Sequence, residues 1–270
     1  MKKNKDYYKS LILKSFEAQA DNLKEDWNNC DPTFTQYFYI DNLLPIDDVD
    51  EIYNEYLKNT DKWIISRGLF ERKSTLKEID TLGSIIPAIT DSFHSPEVVN
   101  AISNITGIKE LVPDPSLYAG GMSRMKKGDF LSPHIDNSHD QPKLRYRRLN
   151  LLYYVSPDWK SENGGNLELW DKKVKTAHEI VSVCNRLVIM KTNDSSYHSV
   201  NEVKIDQPRC CVSNYYFTEI SEKGYDYHHV TSAGGWPGQH FLRALGKAHT
   251  VTRTVIATLI GRNRKAKIRY

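Results

Sequence analysis

The stretch RRLNLLYYVSPDWKSENGGNLELW, residues 147–170, carries the strongest indication of the fold. Its ends, 147–156 and 166–171, are rich in aliphatic and aromatic residues, and the turn-forming segment between them includes the pair Gly164–Gly165. Apolar runs that flank a glycine-containing turn are typical of a β-hairpin. Similar runs lie at 116–125, 129–135, 186–190, 197–203 and 209–218. Short strands at this spacing predict a β-sandwich or β-barrel.

Helices are predicted before this β-rich region. Residues 5–27 and 46–59 have apolar positions on one side of a helix, and the second segment has acidic residues in its first turn. Segment 95–107 begins with Ser95 and a proline and ends with a glycine, which is the usual pattern at helix ends. Residues 37–45 predict a strand that leads into a turn.

These elements divide the chain into three regions of one integrated domain. We expect a support region of helices and strand over 1–114, a β core over 115–220 and a basic extension over 221–270. Residues 227–270 contain no Asp or Glu and eight Lys or Arg, whereas the rest of the chain has 29 basic and 34 acidic residues. The extension should be a helix with solvated cations, and the alternative is contact with an anionic partner. There is no clear nucleic-acid motif.

Composition indicates a polar globular protein. The chain has 270 residues, and its mean hydropathy of −0.58 comes with no apolar run near the 18 residues of a membrane span. The basic N-terminus contains only the apolar run Leu11–Leu13, too short for a secretory signal, so we expect a cytoplasmic protein. The four cysteines lack zinc-type spacing, and Cys210 and Cys211 should point to opposite faces of a strand, which predicts reduced thiols.

A metal site is predicted from the segment LSPHIDN, residues 131–137. His134 and Asp136 lie two apart on a predicted strand, so both side chains project from the same face. His198 follows another strand and a polar turn and is the best candidate for a third ligand. Two histidines and one carboxylate on one face of a metal are the site type of non-haem Fe(II) oxygenases.

A second group of residues predicts an anion site. Arg209 begins the run 209–218, and Ser213 lies four residues later on the same face. A guanidinium and a hydroxyl on one face can bind a carboxylate through paired hydrogen bonds. The distal carboxylate of 2-oxoglutarate is a ligand of this kind.

The order His134-x-Asp136, His198, Arg209-x-x-x-Ser213 resembles that of the Fe(II)/2-oxoglutarate-dependent dioxygenases. Residues 147–170 are similar to a hairpin of the prolyl 4-hydroxylase-like branch, which includes the hypoxia-inducible-factor prolyl hydroxylases. The resemblance covers about 116–218. It implies a mainly β chain with flanking helices, built on a double-stranded β-helix (jelly roll, cupin-like) core.

The resemblance also implies cofactors and further site residues. The cofactors are Fe(II), 2-oxoglutarate and O2, with ascorbate as a candidate reductant. Tyr154 would help to hold the 2-oxoglutarate carboxylate, and Asn150 would line the same pocket. The family often has a tyrosine about ten residues before its first iron-binding histidine; here Arg124 or Met125 stands in that neighbourhood.

The activity implied is hydroxylation of an organic substrate, coupled to decarboxylation of 2-oxoglutarate to succinate and CO2. Asp136 favours hydroxylation, because halogenating relatives have a small residue in place of the carboxylate. The resemblance suggests a prolyl residue in a protein or peptide as substrate. The alternatives are a small molecule, such as a free amino acid, a sugar or a lipid-linked intermediate, and a non-catalytic binding module. The last is disfavoured because the candidate ligands are all retained.

Overall fold

A computed structural model of the chain describes residues 3–58, 61–79, 83, 85–117, 120–246, 248 and 250–252. The N-terminal helices are α1 (Lys5–Asn28), α2 (Ile46–Lys58), α3 (Ile85–Phe93) and α4 (Pro96–Thr106). The strands are β1 (Tyr37–Asp41), β2 (Ile64–Arg67), β3 (Glu71–Leu76), β4 (Val112–Pro113), β5 (Gly121–Met125), β6 (Phe130–Ile135), β7 (Tyr146–Tyr154), β8 (Leu167–Trp170), β9 (Ala177–Ile180), β10 (Arg186–Lys191), β11 (His198–Val200), β12 (Arg209–Thr218) and β13 (Ser232–Ala233).

In the described part of the chain the strands pair antiparallel in the order β1-β10-β7-β12-β5-β3-β6-β11-β8-β9. β3 links the two halves, because it pairs with both β5 and β6. Inward side chains of β7, β12 and β5 line the same cavity as those of β6, β8 and β11, so the two halves face each other. The predicted fold class, a jelly roll with flanking helices, is confirmed.

Alternation along β7 separates two apolar cores. Leu151 and Tyr153 belong to the core between the sheet and the N-terminal helices, which supply residues such as Phe16 and Ile89. Tyr154 belongs to the inner core between the two halves of the sheet. Fully burying an aliphatic or aromatic side chain contributes about 1.5–3 kcal/mol, so the helix layer holds the outer face of the sheet firmly.

The cysteines follow the same alternation. Cys210 lies in the helix-side core and Cys211 in the inner core, and all four cysteines are free thiols. Adjacent strand residues point in opposite directions, which prevents a bond between these two. The prediction of reduced thiols is confirmed for this structure.

Most predicted elements appear with shifts of one or two residues at their ends. The predicted helices 5–27, 46–59 and 95–107 correspond to α1, α2 and α4. Gly107 ends α4 in the left-handed conformation, with φ of 70°. The Ser95 hydroxyl does not cap the helix, because it donates to the carbonyl of Ser92 at 2.7 Å. The hairpin of β2 and β3 and the helix α3 were not predicted.

The C-terminal extension lies along the strand that carries His134. β13 pairs with Ile135 and His134 of β6, and the amide of Gly234 donates to the carbonyl of Pro133 at 2.8 Å. The chain is helical at 240–246. Residues 253–270, which carry six of the eight basic residues of the predicted tail, lie outside the described residues. Within the described ranges, no helix has the length and hydrophobicity needed to cross a membrane.

Candidate active site

Three candidate ligands meet on the inner face of the sheet. His134 lies on β6, Asp136 is the first residue after the end of β6, and His198 is the first residue of β11. The antiparallel register places His198 opposite His134. One ligand atom from each residue lies within 4.8 Å of the others, and each histidine Nε2 is 3.7 Å from an oxygen of Asp136. The sheet therefore brings together the two-histidine, one-carboxylate set predicted from the sequence.

Both histidine rings are held in one orientation. His134 Nδ1 lies 2.9 Å from the carbonyl oxygen of Ser132, and His198 Nδ1 lies 2.9 Å from that of Ser196. A carbonyl accepts hydrogen bonds only, so each Nδ1 is the protonated nitrogen and each Nε2 keeps its lone pair for a metal. Burial, together with the neighbouring His198, lowers the pKa of His134 to about 3. His134 is neutral at physiological pH, as a metal ligand must be.

Asp136 is ionised in this site. Burial alone would raise its pKa, but the Arg147 guanidinium and the two histidines outweigh that effect and hold the pKa well below its ordinary value. Arg147 Nη1 lies 3.3 Å from Asp136 Oδ2, and the amide of Asn150 donates to the same oxygen at 2.7 Å. Asn150, predicted to line the cosubstrate pocket, does line the cavity, and its amide contacts the candidate metal ligand.

Arg209 lies in the same cavity as the ligands and is buried, with 4% of its surface exposed. Its Nε donates to the carbonyl of Gly165 at 2.9 Å and reaches Ser182 Oγ at 3.3 Å. Within the described ranges it forms no ion pair with an acidic residue. A buried cation without a counter-charge is costly unless a ligand supplies one. The cavity is therefore suited to an anionic ligand.

The other predicted anion-site residues surround this guanidinium. Ser213 lies four residues along β12 and lines the cavity. Tyr154 packs against Arg209, whose Cζ is 4.7 Å from the ring centroid, and burial raises the pKa of its phenol. Met125 lines the cavity beside Arg209, with its sulfur 3.8 Å from Nη1. Arg124 lies on the opposite face, where it stacks on Trp63 and donates to a carbonyl of α2.

The glycine pair, which the sequence suggests turns the hairpin and shapes the mouth of the site, contacts Arg209 through Gly165. Gly164 and Gly165 have φ of 70° and 66°. A Cβ on Gly164 would lie 2.0 Å from the carbonyl oxygen of Glu202, and one on Gly165 would crowd Arg209. The carbonyl of Gly165 accepts hydrogen bonds from Ser182 and Arg209, so the turn orients the guanidinium.

Several residues in and around the cavity were missed from the sequence. Lys73 and Thr75 line the cavity from β3, a strand that was not predicted. Arg147 is 2% exposed and contacts Asp136, but the sequence shows only a pair of arginines at the start of a strand. Lys73 of β3 forms an ion pair with Glu71, with Nζ 3.1 Å from the carboxylate. Strict alternation along β7 does not identify Arg147 as a residue of the site.

The residues present fit a divalent metal with a carboxylate-bearing ligand. The neutral imidazoles and the carboxylate are ligands for which non-haem Fe(II) is a suitable ion. The cavity that holds the candidate ligands and the guanidinium also has apolar walls: Leu152, Leu167, Val200 and Met125. Such walls exclude water and strengthen electrostatic contacts inside the cavity.

Comparison with known proteins gives a family match for the part of the chain that holds the candidate site. Residues 120–217 match the family model of the 2OG-Fe(II) oxygenase superfamily. No curated protein matches the chain in sequence.

Solved structures of prolyl hydroxylases share the fold. A prolyl-4-hydroxylase from Pseudomonas putida is 14% identical with a TM-score of 0.52, over 73% of this chain and 98% of that chain. A prolyl hydroxylase from Trichoplax adhaerens, in complex with a hypoxia inducible factor oxygen degradation domain peptide fragment, is 16% identical with a TM-score of 0.53, over 75% of this chain and 93% of that one. At these identities the likeness concerns the fold alone. Residues 120–217 therefore resemble the 2OG-Fe(II) oxygenase superfamily, and the chain has the fold of prolyl 4-hydroxylase-like proteins.

Proposed function

We propose that this protein hydroxylates an organic substrate with Fe(II), 2-oxoglutarate and O2. The proposed metal ligands are His134, Asp136 and His198. The proposed residues for the distal carboxylate of 2-oxoglutarate are Arg209, Ser213 and Tyr154. The observation that carries the proposal is the presence, in one buried cavity, of three converging ligand atoms and a guanidinium without an acidic partner in the described part of the chain.

The protein's own contribution is binding, orientation and exclusion of water. His134 and His198 offer fixed Nε2 lone pairs, and Arg209 would hold the distal carboxylate of 2-oxoglutarate in the same cavity. When bound, Fe(II) supplies the redox chemistry that couples decarboxylation of 2-oxoglutarate to succinate and CO2 with hydroxylation of the substrate. Asn150 belongs to the site through its hydrogen bond to Asp136.

The proposed substrate is a prolyl residue of a protein or peptide. It is supported by the likeness of fold to prolyl hydroxylases, one of them bound to a peptide fragment. A small-molecule substrate is the alternative outcome. Incubation with proline-containing peptide pools and with amino-acid and carbohydrate pools distinguishes the two, because only the true substrate gains one oxygen atom by mass spectrometry and increases succinate release.

The reaction class is tested by succinate release from 2-oxoglutarate with Fe(II) added to the purified protein. We expect slow release without substrate, and its loss in His134→Ala and Asp136→Ala. His178→Ala is the matched control, since this exposed histidine contacts Tyr37 and lies outside the cavity that holds the candidate ligands. Release that survives either ligand substitution would contradict the proposal. Ascorbate as reductant and a cytoplasmic location stay predictions; the first is tested by whether ascorbate prolongs succinate release.

A further inference from the structure

We infer that Arg147 is a positioning residue for the metal-binding carboxylate. With Asn150, it holds one oxygen of Asp136 and leaves the other oxygen for the metal. This inference rests on the proposed function, because it takes Asp136 to be a metal ligand.

The two oxygens of Asp136 have different surroundings. Oδ2 lies 3.7 Å from Nε2 of His198, but it also accepts a hydrogen bond from Asn150 at 2.7 Å and lies 3.3 Å from Arg147 Nη1. Oδ1 lies 3.7 Å from Nε2 of His134 and accepts no hydrogen bond from any side chain or amide in the described part of the chain. A carboxylate held through one oxygen by an amide and a guanidinium has little freedom to rotate. Oδ1 is therefore the oxygen directed to the metal.

Arg147 is itself fixed, so it can act as a rigid support. Its guanidinium stacks 4.2 Å from the centroid of Tyr215, and Nη2 donates to the side chain of Asn137 at 3.0 Å. The residue is 2% exposed, and Asp136 is its acidic partner among the described residues. A buried cation needs such a partner, and the partner gains a fixed position in return.

The fork of the guanidinium is needed for this geometry. Nη1 of the guanidinium faces Asp136, while Nη2 donates to the side chain of Asn137, the residue that follows Asp136 in the sequence. A lysine ammonium is a point charge that cannot reproduce two separated contacts of this kind. Removal of a group that hydrogen-bonds to a metal ligand and orients it typically weakens metal affinity by about 10–100-fold. Arg147 should have an effect of that size.

The experiment measures the affinity of the protein for Mn(II), a redox-stable substitute for Fe(II), by titration calorimetry. We expect Arg147→Met to bind Mn(II) about 10–100-fold more weakly than the unmodified protein. Arg148→Met is the matched control. Arg148 is the adjacent arginine, but it contacts Glu222 and Thr218 and no candidate ligand, so its removal should leave Mn(II) affinity unchanged.

A second readout separates positioning from general destabilisation. The visible absorption of bound Co(II) reports the ligand arrangement. It should change in Arg147→Met, where Oδ2 keeps only the hydrogen bond from Asn150, and stay the same in Arg148→Met. Guanidinium at low millimolar concentration should restore Mn(II) affinity to Arg147→Ala. If Arg147→Met does not fold, Arg147→Lys keeps the buried charge and should still bind Mn(II) more weakly.

The outcomes distinguish this inference from the proposed function. Mn(II) affinity unchanged in folded Arg147→Met or Arg147→Lys, with binding lost in Asp136→Ala, would overturn the role of Arg147 and leave the proposed metal site intact. Failure of the unmodified protein to bind Mn(II) would instead overturn the metal site itself.

Discussion

At the scale of single residues, Arg209 should be the main determinant of 2-oxoglutarate affinity. Its guanidinium is buried in the cavity without an acidic partner in the described ranges, so the distal carboxylate would form charge-assisted hydrogen bonds there. A hydrogen bond to a charged group contributes about 1.5–3 kcal/mol, and 1.4 kcal/mol is a factor of ten. Arg209→Met should therefore raise the Kd for 2-oxoglutarate by roughly 10–100-fold, measured by calorimetry with Mn(II) present.

Arg186→Met is the control for this prediction. Arg186 also lies on a strand of the sheet, but it is paired with Asp41 at the surface, away from the cavity. Its removal should leave the Kd for 2-oxoglutarate within about twofold, since surface ion pairs contribute little. Equal affinity of Arg209→Met and the unmodified protein would show that the carboxylate binds elsewhere.

His139, which follows β6 and forms an isolated bridge with Tyr146, should make stability depend on pH. Burial, followed by the nearby His228, lowers its pKa to about 4, whereas the unfolded chain has a value near 6.5. Between these values the unfolded state binds more protons, so stability is greatest above about pH 6.5 and decreases as the pH falls toward 4. The free energy of unfolding, measured in urea across this range, should fall less in His139→Gln. The exposed His178→Gln variant should behave as the unmodified protein does, and parallel curves for all three proteins would refute the assignment.

Residue-level alternation predicted most of the candidate site but not Arg147. Along β7, Tyr154, Leu152 and Asn150 share the inner face, so strict alternation would place Arg148 there next. The register shifts between Tyr216 and Phe217 of β12, which pair with Leu149 and Arg147. The extra residue is a β-bulge that turns Arg147 toward Asp136. A bulge depends on pairing with another strand, so a single sequence does not reveal it.

At the scale of elements, the C-terminal extension should stabilise the fold through Trp236. The indole Nε1 donates to the carboxylate of Glu168 at 2.9 Å, and its ring meets Phe130 edge-on at 5.7 Å. Trp236→Phe should lower the free energy of unfolding by about 1–2 kcal/mol through loss of the hydrogen bond, and Trp236→Ala by about 2–3 kcal/mol. Both are measured by urea unfolding. Phe241→Ala, at a 78% exposed aromatic of the same extension, should change it by less than about 0.5 kcal/mol. A Trp236→Ala variant as stable as Phe241→Ala would mean that the extension is only loosely attached.

Elements with a clear period were predictable, and those held by tertiary contacts were not. β7 and β12 are long apolar strands whose pattern is visible in the sequence. β2 carries Ile64 and Ile65 side by side, and both are more than 60% exposed, so its pattern does not match burial. α3 contains β-branched residues and a proline near its start, which weaken local helix preference, and its burial against the sheet compensates.

At the scale of the whole molecule, the site is a product of the closed sheet. His134 and His198 lie on the paired strands β6 and β11 of one half, and Arg209 lies on β12 of the other half. The ligands and the guanidinium therefore share a cavity only when the two halves of the sheet face each other. β3, from the region before residue 115, completes the contact between the halves and contributes Lys73 to the cavity. A ligand that bridges these strands binds the folded chain and not the unfolded one, so its binding energy adds to global stability.

Metal should therefore stabilise the entire fold, and the cosubstrate should add to that stability only after the metal is bound. A ligand at one hundred times its Kd adds about 2.7 kcal/mol, and 1 kcal/mol shifts the Tm of a chain of this size by about 2–4 °C. We expect saturating Mn(II) to raise the Tm by roughly 5–10 °C, 2-oxoglutarate to raise it further only when Mn(II) is present, and a chelator to reverse both shifts. Asp136→Ala should lose the Mn(II) shift, whereas Arg209→Met should keep it and lose the 2-oxoglutarate increment. Stabilisation by 2-oxoglutarate that is equally large without metal would mean that its keto acid end does not reach the ligands, because the increment depends on chelation across both halves of the sheet.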